Sequence, residues 1–351
     1  MPTPTTAPRL TSLSHGGGCG CKIAPGVLGE LLARSNLPSQ LFPNLLVGTE
    51  TADDAAVYRI NDNQAIVATT DFFMPIVDDP YDFGRIAATN ALSDVYAMGG
   101  QPIMALAIVG MPVNVLPHDV IARILEGGQS VCRDAGIPLA GGHSIDSVEP
   151  IYGLVALGLL DPHHLKRNSE ARAGDLLILG KPLGVGIYSA ALKKDQLDEG
   201  AYAAMIDATT RLNRPGPDLA RLPGVHAMTD VTGFGLLGHT LEMARGAGLS
   251  AHITSRSVPF LEDAIELASA GIRTGASARN WGSYGKDIDM AFDAPAFIQD
   301  LLTDPQTAGG LLVACAPEAR DSVLSCFARH GFGSAAVIGQ LQEGPARVLV
   351  R

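Results

Sequence analysis

The stretch PIMALAIV at residues 102–109 is apolar enough for a buried strand, and an amphipathic pattern typical of a helix follows at residues 118–135. Residues 137–140 predict a second strand, and IYGLVALGLL at residues 151–160 predicts a third. Strands that alternate with helices are characteristic of α/β proteins. This stretch therefore predicts an α/β fold for the first half of the chain.

The pattern extends toward the N-terminus. Residues 55–60 and 65–70 predict two strands separated by the turn-forming run Asn61-Asp62-Asn63. Asp82 is a suitable N-cap for a helix that reaches about residue 98 and ends at two glycines. Asn90 and Asp94 are four residues apart on that helix, so we expect them to share one face.

A polar stretch at residues 163–174 interrupts the alternation and marks a predicted domain boundary. Because 351 residues exceed the usual size of a single core, we expect two domains, at residues 49–162 and 174–351, preceded by a flexible glycine-rich arm at residues 1–48. In the second half, strands are predicted at residues 175–179, 225–228, 311–314, 335–339 and 347–350, and helices within 181–222 and at 235–245, 261–270 and 317–330.

The composition limits the class of partner. The net charge of −11 argues against nucleic acid, which attracts basic surfaces, and no apolar run is long enough to span a membrane. An acidic protein that handles phosphates needs divalent metal ions or a few well-placed cations. The odd number of cysteines does not indicate a disulfide framework, so a reducing cytoplasm is expected. The cysteines are Cys19, Cys21, Cys132, Cys315 and Cys326.

The run Ser14-His15-Gly16-Gly17-Gly18-Cys19-Gly20-Cys21-Lys22 places a thiol and an amine on a backbone that is costly to order. One interpretation is a flap that closes over an anionic substrate and excludes water. The alternative is a linker or an ordinary terminal tail. A standard phosphate-binding loop is excluded, because Cys21 rather than glycine precedes Lys22 and Ile23 follows it.

Several carboxylates lie at the ends of apolar segments, where an acid is otherwise expensive. Asp53 and Asp54 precede a predicted strand, Asp71 and Asp230 each follow one, and Asp94 lies in an alanine-rich helix. Each alone is better explained as a cap or turn residue. Together they are typical of acids that converge on a hard cation such as Mg²⁺ and a polyphosphate.

Two glycine-containing turns could offer backbone amides to phosphate oxygens, although glycine is common at such turns for steric reasons alone. They are Gly142-His143-Ser144 and Thr232-Gly233-Phe234-Gly235. His239 is better explained as a helix histidine with a satisfied hydrogen bond than as a metal ligand.

A zinc site at Cys19 and Cys21, with His15 nearby, is not favoured, because the remaining cysteines form no second pair of ligands. Those three cysteines lie in apolar helix or strand contexts and are predicted to be core residues.

Seven short segments combine the glycine-rich run, the acids and the glycine turns described above. In chain order they are His15 to Lys22, Asp53-Asp54-Ala55-Ala56-Val57, Thr69-Thr70-Asp71-Phe72-Phe73, Ala88 to Asp94, Ala140-Gly141-Gly142-His143-Ser144, Met228 to Gly235 and Asp304-Pro305-Gln306-Thr307. Together they resemble, over nearly the whole chain, selenophosphate synthetases, also called selenide, water dikinases, of the aminoimidazole ribonucleotide synthetase-like superfamily.

The resemblance implies a reaction in which ATP, selenide and water give selenophosphate, orthophosphate and AMP, with Mg²⁺ required. It implies a two-domain α/β fold of the α+β type that forms a homodimer through its N-terminal sheets. It leaves open whether K⁺ or another monovalent cation assists, whether a delivery protein supplies selenide, and whether selenium becomes bound covalently to the enzyme.

The resemblance also implies roles for individual residues. Cys19 and Lys22 match catalytic positions, and Asn90 would support the metal shell. The matched magnesium ligands are Asp54, Asp94 and Asp230; the matched nucleotide contacts are Lys22, Thr51, Ala52, Asp53, Asp71, Asp94, Gly142, His143 and Ser144. Ala52 departs from the longer polar residue of some members, so only its backbone could serve. Cysteine at position 19 is a thiol of ordinary reactivity unless Lys22 or the glycine-loop amides lower its pKa.

Two alternatives remain from the sequence. One is another ATP-dependent kinase or ligase of the same superfamily, which the Cys-x-Cys-Lys arm disfavours. The other is a selenium or metal carrier that binds its cargo between the soft sulfur ligands of Cys19 and Cys21 and does not turn over ATP. The carrier would leave the ordered aspartates unexplained.

Overall fold

Two mixed β-sheets, each covered by helices, form the protein. The computed structural model describes residues 8–34, 42–49, 52–291 and 293–351. The first sheet has the order β1-β2-β3-β6-β4-β5, and its strands are β1 (Leu45–Val47), β2 (Ala56–Asn61), β3 (Gln64–Phe73), β4 (Gln101–Met111), β5 (Leu139–Asp146) and β6 (Ile151–Leu160). The second has the order β10-β13-β9-β12-β7-β11-β8, with β7 (Leu176–Leu179), β8 (Val225–Asp230), β9 (Ser250–Ile253), β10 (Ile288–Met290), β11 (Leu311–Cys315), β12 (Ala336–Gln342) and β13 (Val348–Val350).

Eleven α-helices are present in the described part of the chain, and none of them is long and apolar enough to cross a membrane. They are α1 (Pro25–Arg34), α2 (Pro80–Ala97), α3 (His118–Asp134), α4 (Val185–Lys193), α5 (Glu199–Thr210), α6 (Gly216–Arg221), α7 (Gly235–Ala247), α8 (Ala264–Ser269), α9 (Gly275–Tyr284), α10 (Ala296–Leu302) and α11 (Arg320–Arg329).

Helix α2 is the central element of the first half, because it packs against β3, β6 and α3 and is buried over almost its whole length. It approaches α3 closely at glycines on both sides. A Cβ on Gly84 would lie 1.9 Å from the carbonyl oxygen of Ile124, and one on Gly127 would lie 2.1 Å from that of Tyr81. This tight packing fixes the polar residues of α2 relative to the sheet.

Two sequence predictions about element ends were wrong. Asp79, not Asp82, is the N-cap of α2, since its Oδ1 accepts a hydrogen bond of 2.8 Å from the backbone nitrogen of Asp82 and Pro80 occupies the first turn. Strand β3 does not end before Asp71 but continues to Phe73, because residues 65–73 pair without a break with β6.

The segment Gly142-His143-Ser144 was predicted to be a turn after a short strand, and the structure corrects this. Strand β5 runs from Leu139 to Asp146 and pairs with β4 in parallel, so the three residues lie inside an edge strand. The two glycines adopt φ values of +131° at Gly141 and +153° at Gly142, where the strand is irregular next to Ala107.

Asp304 is a fully buried acid that caps helix α4. Its Oδ2 accepts hydrogen bonds from the backbone nitrogen of Ile187 (3.1 Å) and from Nε2 of Gln306 (3.0 Å), whereas its buried Oδ1 has no partner among the described residues. Burial raises the pKa of this carboxyl group from an ordinary value of 3.8 to about 8, despite those hydrogen bonds.

The raised pKa predicts a pH-dependent contribution to stability. Because the folded state holds the proton up to about pH 8 while the unfolded state releases it near 3.8, this contribution is largest below pH 3.8 and is lost as the pH rises toward 8. Asp304→Asn should remove a slope of up to about 1.4 kcal/mol per pH unit from the free energy of unfolding. Urea denaturation across this range measures it, and equal slopes in variant and wild type would contradict the assignment.

Candidate active site

Three carboxylates from three elements meet at the junction of the two sheets. Asp54 precedes β2, Asp94 lies on α2 and Asp230 ends β8, and their ligand oxygens lie within 4.8 Å of one another. Asp94 and Asp230 are only 8% and 1% exposed. The structure therefore brings together the three acids that the sequence singled out as metal ligands.

Each of these acids accepts a hydrogen bond from a neighbouring hydroxyl group. The donors Thr229, Thr69 and Ser93 contact Asp54 (2.8 Å), Asp94 (2.5 Å) and Asp230, respectively. Sequence reasoning assigned no role to these hydroxyls, although Thr69 lies two residues before Asp71 on the same strand face and the other two each precede a cluster acid. They orient the carboxylates without neutralising them.

The three acids disfavour one another's ionised form at this distance. Burial and then mutual repulsion raise the pKa values of Asp54 and Asp94 well above the ordinary range, and burial also raises that of Asp230. The buried Oδ2 of Asp54 has no hydrogen-bond partner among the described residues. Close acids with a free oxygen fit a hard divalent cation, which prefers oxygen ligands and would relieve the repulsion.

Lys22 lies next to this cluster and is paired with Asp71. Its Nζ is 2.8 Å from Oδ2 of Asp71, which is 6% exposed. Burial acts to lower the pKa of Lys22, but the negative charge of Asp71 and the hydrogen bond to it outweigh this effect and raise that pKa well above its usual value. The side chain is therefore a fixed cation beside the acids.

Cys19 is 1% exposed and is held by residues from both halves of the chain. Its Sγ donates to Oδ1 of Asn90 (3.1 Å), and its backbone nitrogen donates to Oγ1 of Thr307 (3.1 Å). Asn90 is fixed in turn, because its Nδ2 donates to Asp71 (2.8 Å) and its Oδ1 accepts from the backbone nitrogen of Ala308 (2.7 Å). Thiol, amide, carboxylate and ammonium thus form one connected network.

The thiol of Cys19 is in its protonated form in this arrangement. Burial raises its pKa well above the ordinary value, and the charge of Lys22 offsets this only in part. An acceptor oxygen of Asn90 beside Sγ also favours the S–H form. Any lowering of the pKa needs a change in these surroundings.

Residues 14–22, called the glycine-rich segment below, pack against residues that leave no room for side chains at the contact. A Cβ on Gly233 would lie 2.7 Å from the carbonyl oxygen of Cys19 and 3.2 Å from Cδ of Lys22. Residues Gly18–Cys21 form a short 3₁₀ turn, and Gly18 has a φ of +52° with its Cα beside Thr307. The close packing of the segment thus requires glycine both in the segment, at Gly18, and opposite it, at Gly233.

Gly233→Ala should displace this segment without unfolding the protein. We expect turnover to fall about tenfold or more, because a shift of about 1 Å in catalytic groups has effects of that order or larger. Alkylation of Cys19, followed by peptide mass spectrometry, should become faster. Gly282→Ala is the matched control, since a Cβ at Gly282 meets nothing within 4 Å. Unchanged turnover and alkylation in Gly233→Ala would show that the segment does not rest on Gly233.

Ala52 and Asp53, predicted nucleotide contacts, line the same cavity of about 340 Å³ as the acid cluster and Lys22. Ala52 has a φ of +51°, and its carbonyl oxygen accepts a hydrogen bond of 3.2 Å from Nδ2 of Asn168. Asp53 accepts one of 2.7 Å from the backbone nitrogen of the same residue. Thr51, a further predicted contact, lies outside the described residues.

The predicted contacts Gly142, His143 and Ser144 do not reach this cavity within one chain. Gly142 is aligned with Asp71 across the sheet, through Ala107 and Leu154, so three strand spacings of roughly 14 Å in total separate them. All three residues are exposed.

His239 lies on α7, is buried and lines the cavity. Its Nε2 lies 3.3 Å from Oγ1 of Thr232, and its ring stacks on Phe234 at a centroid distance of 5.5 Å. Its Nδ1 is 3.0 Å from Oε2 of Glu242 but makes no hydrogen bond among the described residues, so the ring is satisfied at one nitrogen only.

Both halves of the chain match one protein family. Residues 52–160 match the AIR synthase related protein N-terminal domain and residues 172–351 match the C-terminal domain. Thiamine-monophosphate kinase from Stenotrophomonas maltophilia K279a superposes with a TM-score of 0.63 at 20% identity, covering 94% of this chain and 96% of that one. This likeness supports the fold, and together these matches place the chain in the AIR synthase related class.

Much closer relatives exist within that class. The selenide, water dikinase of Pseudomonas straminea is 72% identical over 343 residues, which cover 98% of this chain and 96% of that protein. The selenide, water dikinase of Paraburkholderia xenovorans (strain LB400) is 71% identical over 350 residues, covering 100% and 98%. The chain belongs to the selenide, water dikinase family.

Proposed function

We propose that the protein makes selenophosphate, with ATP, selenide and water as substrates and with AMP and orthophosphate as the other products. The observation that carries the proposal is a buried thiol, Cys19, connected through Asn90 to the Lys22–Asp71 pair beside three acids. Full-length similarity to relatives named for this activity supports it.

Asp54, Asp94 and Asp230 would hold Mg²⁺ through carboxylate oxygens. The repulsion that raises their pKa values, together with the unpartnered Oδ2 of Asp54, supports this assignment. The bound metal would supply charge neutralisation for the polyphosphate, which an acidic protein otherwise repels. Neither K⁺ nor a second metal is needed to explain these contacts.

Lys22 contributes the positive charge that phosphoryl transfer needs at the phosphates. Its pairing with Asp71 orients the ammonium group toward the cavity that Asp53, Asp54 and Asp94 also line. ATP would enter there, and the expected contacts of Ala52 are made by its backbone. Thr51 adjoins this region of the sequence.

Cys19 handles selenide in this proposal. The thiol would contact selenide during the transfer without forming a bond to it, and the segment that bears the thiol would exclude water from the phosphates. Asn90 and Thr307 act as positioning residues for the thiol. Exclusion of water matters because premature hydrolysis would consume ATP without forming selenophosphate.

The first sheet is proposed to form a homodimer interface. Helices α2 and α3 cover one face, while Tyr58, Phe72, Ile103 and Ile145 are each 42–56% exposed. An apolar patch of this kind is typical of a protein–protein contact. Because Gly142, His143 and Ser144 cannot reach the cavity of their own chain, their nucleotide contacts require the cavity of a second copy.

The remaining assignments follow the same proposal. The arm comprises residues 1–48, the ATP- and metal-binding domain residues 49–162 and the C-terminal domain residues 174–351. The five cysteines are all free, which supports a reducing cytoplasm as the compartment. A protein that delivers selenide is compatible with the buried position of Cys19.

Product analysis tests the proposed function. The purified protein is incubated with ATP and Mg²⁺ under anaerobic reducing conditions, with and without selenide, and nucleotides are separated by chromatography. Formation of AMP and orthophosphate in equal amounts, dependent on selenide, is the expected result. Release of ADP, or binding of selenide without ATP turnover, would overturn the proposal in favour of another kinase or a carrier.

A further inference from the structure

A second cavity, of about 320 Å³, adjoins the glycine-rich segment and shares no lining residue with the cavity above the acid cluster. Its walls are the segment itself at Gly16, Gly17 and Gly20, one face of α4 along the length of that helix, and the first turn of α9. Thr307, whose hydroxyl accepts the hydrogen bond from the Cys19 backbone, also lines it. The cavity is therefore adjacent to the catalytic thiol but separate from the acid cluster.

This cavity is cationic in a chain that is acidic overall. Of the described residues, four with basic side chains line it, namely Lys193, Lys194, Arg273 and Arg279, and no Asp or Glu does. The whole chain has 36 acidic and only 25 basic residues, so the local excess is contrary to the composition. Such a concentration of positive charge attracts anions.

Two of the cations are bound to the segment. Nζ of Lys193 is 3.4 Å from the carbonyl oxygen of Gly16, and an Nη of Arg279 is 2.7 Å from that of Gly20. These two contacts hold the segment on both sides of Cys19. Because a carbonyl oxygen carries no net charge, they leave the positive charges of both side chains uncompensated. An anion in the cavity would be a stronger partner for both side chains.

Nearby acids compensate the cavity only weakly. Asp300 lies 3.7 Å from Arg273, and Lys194 has no carboxylate within ion-pair distance among the described residues. Asp78 faces Lys193 but is paired with Arg9 at 2.7 Å. Glu149 is paired with His15, which lies at the cavity edge.

The start of helix α9 adds to the positive potential. Its N-cap Thr274 and first residues Gly275 and Ala276 line the cavity, and the helix is 10 residues long. The first backbone N–H groups of a helix are suited to bind anions. At about 320 Å³, the space is at the lower end of the range for ligand pockets, which suits a small ligand.

We propose that this cavity binds a small phosphate-like oxyanion, which competes with the carbonyl oxygens of Gly16 and Gly20 for Lys193 and Arg279 and so releases the segment that covers Cys19. The inference that an anion binds here rests only on the cavity and its basic side chains. The identity of its ligand rests on the proposed function, which supplies two sources: orthophosphate and the phosphorus end of selenophosphate.

Binding is tested with the full chain, without nucleotide or Mg²⁺, by calorimetric titration with inorganic phosphate at constant ionic strength. We expect millimolar or tighter binding that weakens about tenfold in Lys194→Gln/Arg273→Gln, because neither residue holds the segment. Arg320→Gln, which alters a surface cation elsewhere, should bind like wild type. Absence of phosphate binding, or weakening by Lys22→Gln but not by the double variant, would overturn the proposal.

A parallel titration with monothiophosphate, a stable analogue of selenophosphate, distinguishes the two sources. Tighter binding of monothiophosphate supports selenophosphate as the ligand, and equal or weaker binding supports orthophosphate. Both outcomes retain an oxyanion site.

Release of the segment is tested by alkylation of Cys19. Phosphate should accelerate alkylation several-fold over chloride of equal ionic strength, and Arg279→Gln should accelerate it without phosphate. No phosphate effect on the rate, despite binding, would overturn the link between anion and segment. Because these experiments use neither ATP nor selenide, their failure is distinguishable from failure of the proposed function.

Discussion

Cys19→Ser should lose selenide-dependent AMP formation by at least about 100-fold, a loss of the size expected when a reacting group is removed. The serine hydroxyl can still donate to Oδ1 of Asn90, and the backbone hydrogen bond to Thr307 is unaffected. The substitution therefore keeps the positioning network and removes only the soft sulfur. Binding of ATP with Mg²⁺, measured by calorimetry, should remain close to that of wild type.

Cys132→Ser is the matched control for this variant. Cys132 is also 1% exposed but lies in α3, away from the cavity. Burial of its hydroxyl should lower stability by about 1–3 kcal/mol and leave turnover intact. Wild-type selenide-dependent turnover in Cys19→Ser would refute the role of the thiol.

Asp230→Asn should lower the activity strongly and raise the stability of the metal-free protein. The neutral amide removes one of three mutually repelling charges, so the melting temperature without Mg²⁺ should rise. The stabilisation that Mg²⁺ and ATP confer on wild type should be largely lost, because stabilisation by a ligand follows its affinity. Selenide-dependent turnover should fall at least about 100-fold.

The control for Asp230→Asn is Asp321→Asn, since Asp321 is an exposed acid of α11, far from the cluster in sequence, whose one ion-pair partner among the described residues is Arg320. It should leave both melting curves and turnover unchanged. A lower metal-free melting temperature in Asp230→Asn together with an undiminished effect of Mg²⁺ and ATP would contradict the assignment of a metal site.

Local patterns in the sequence were sufficient for much of the fold. The four-residue spacing of Asn90 and Asp94 predicted a shared helix face, and the structure confirms it: both face β3, where they contact Asp71 and Thr69. The α/β class followed from alternating apolar segments. Strands β1, β9 and β10 were missed. All three are only three or four residues long, and β9 and β10, with the partly polar sequences SAHI and IDM, are stabilised as strands by pairing with β13.

Long-range contacts could not be predicted in this way. Cys19 and Thr307 are 288 residues apart, and Cys19 and Asn90 are 71 residues apart, so no local pattern could show that they touch. The sequence left open whether Lys22 lowers the pKa of the Cys19 thiol, and burial of the thiol raises that pKa by more than Lys22 lowers it. The motifs singled out candidate residues, whereas tertiary packing determines which of them touch.

The proposed function requires the transfer of a phosphoryl group from ATP to selenium beside Cys19 and Lys22. The most direct measurement is ³¹P NMR of the full chain with ATP, Mg²⁺ and selenide enriched in ⁷⁷Se, a spin-½ nucleus, under anaerobic reducing conditions. A phosphorus resonance split by coupling to ⁷⁷Se, formed in proportion to AMP and absent with Cys19→Ser, is the predicted result. ADP as the product with no split resonance would contradict it.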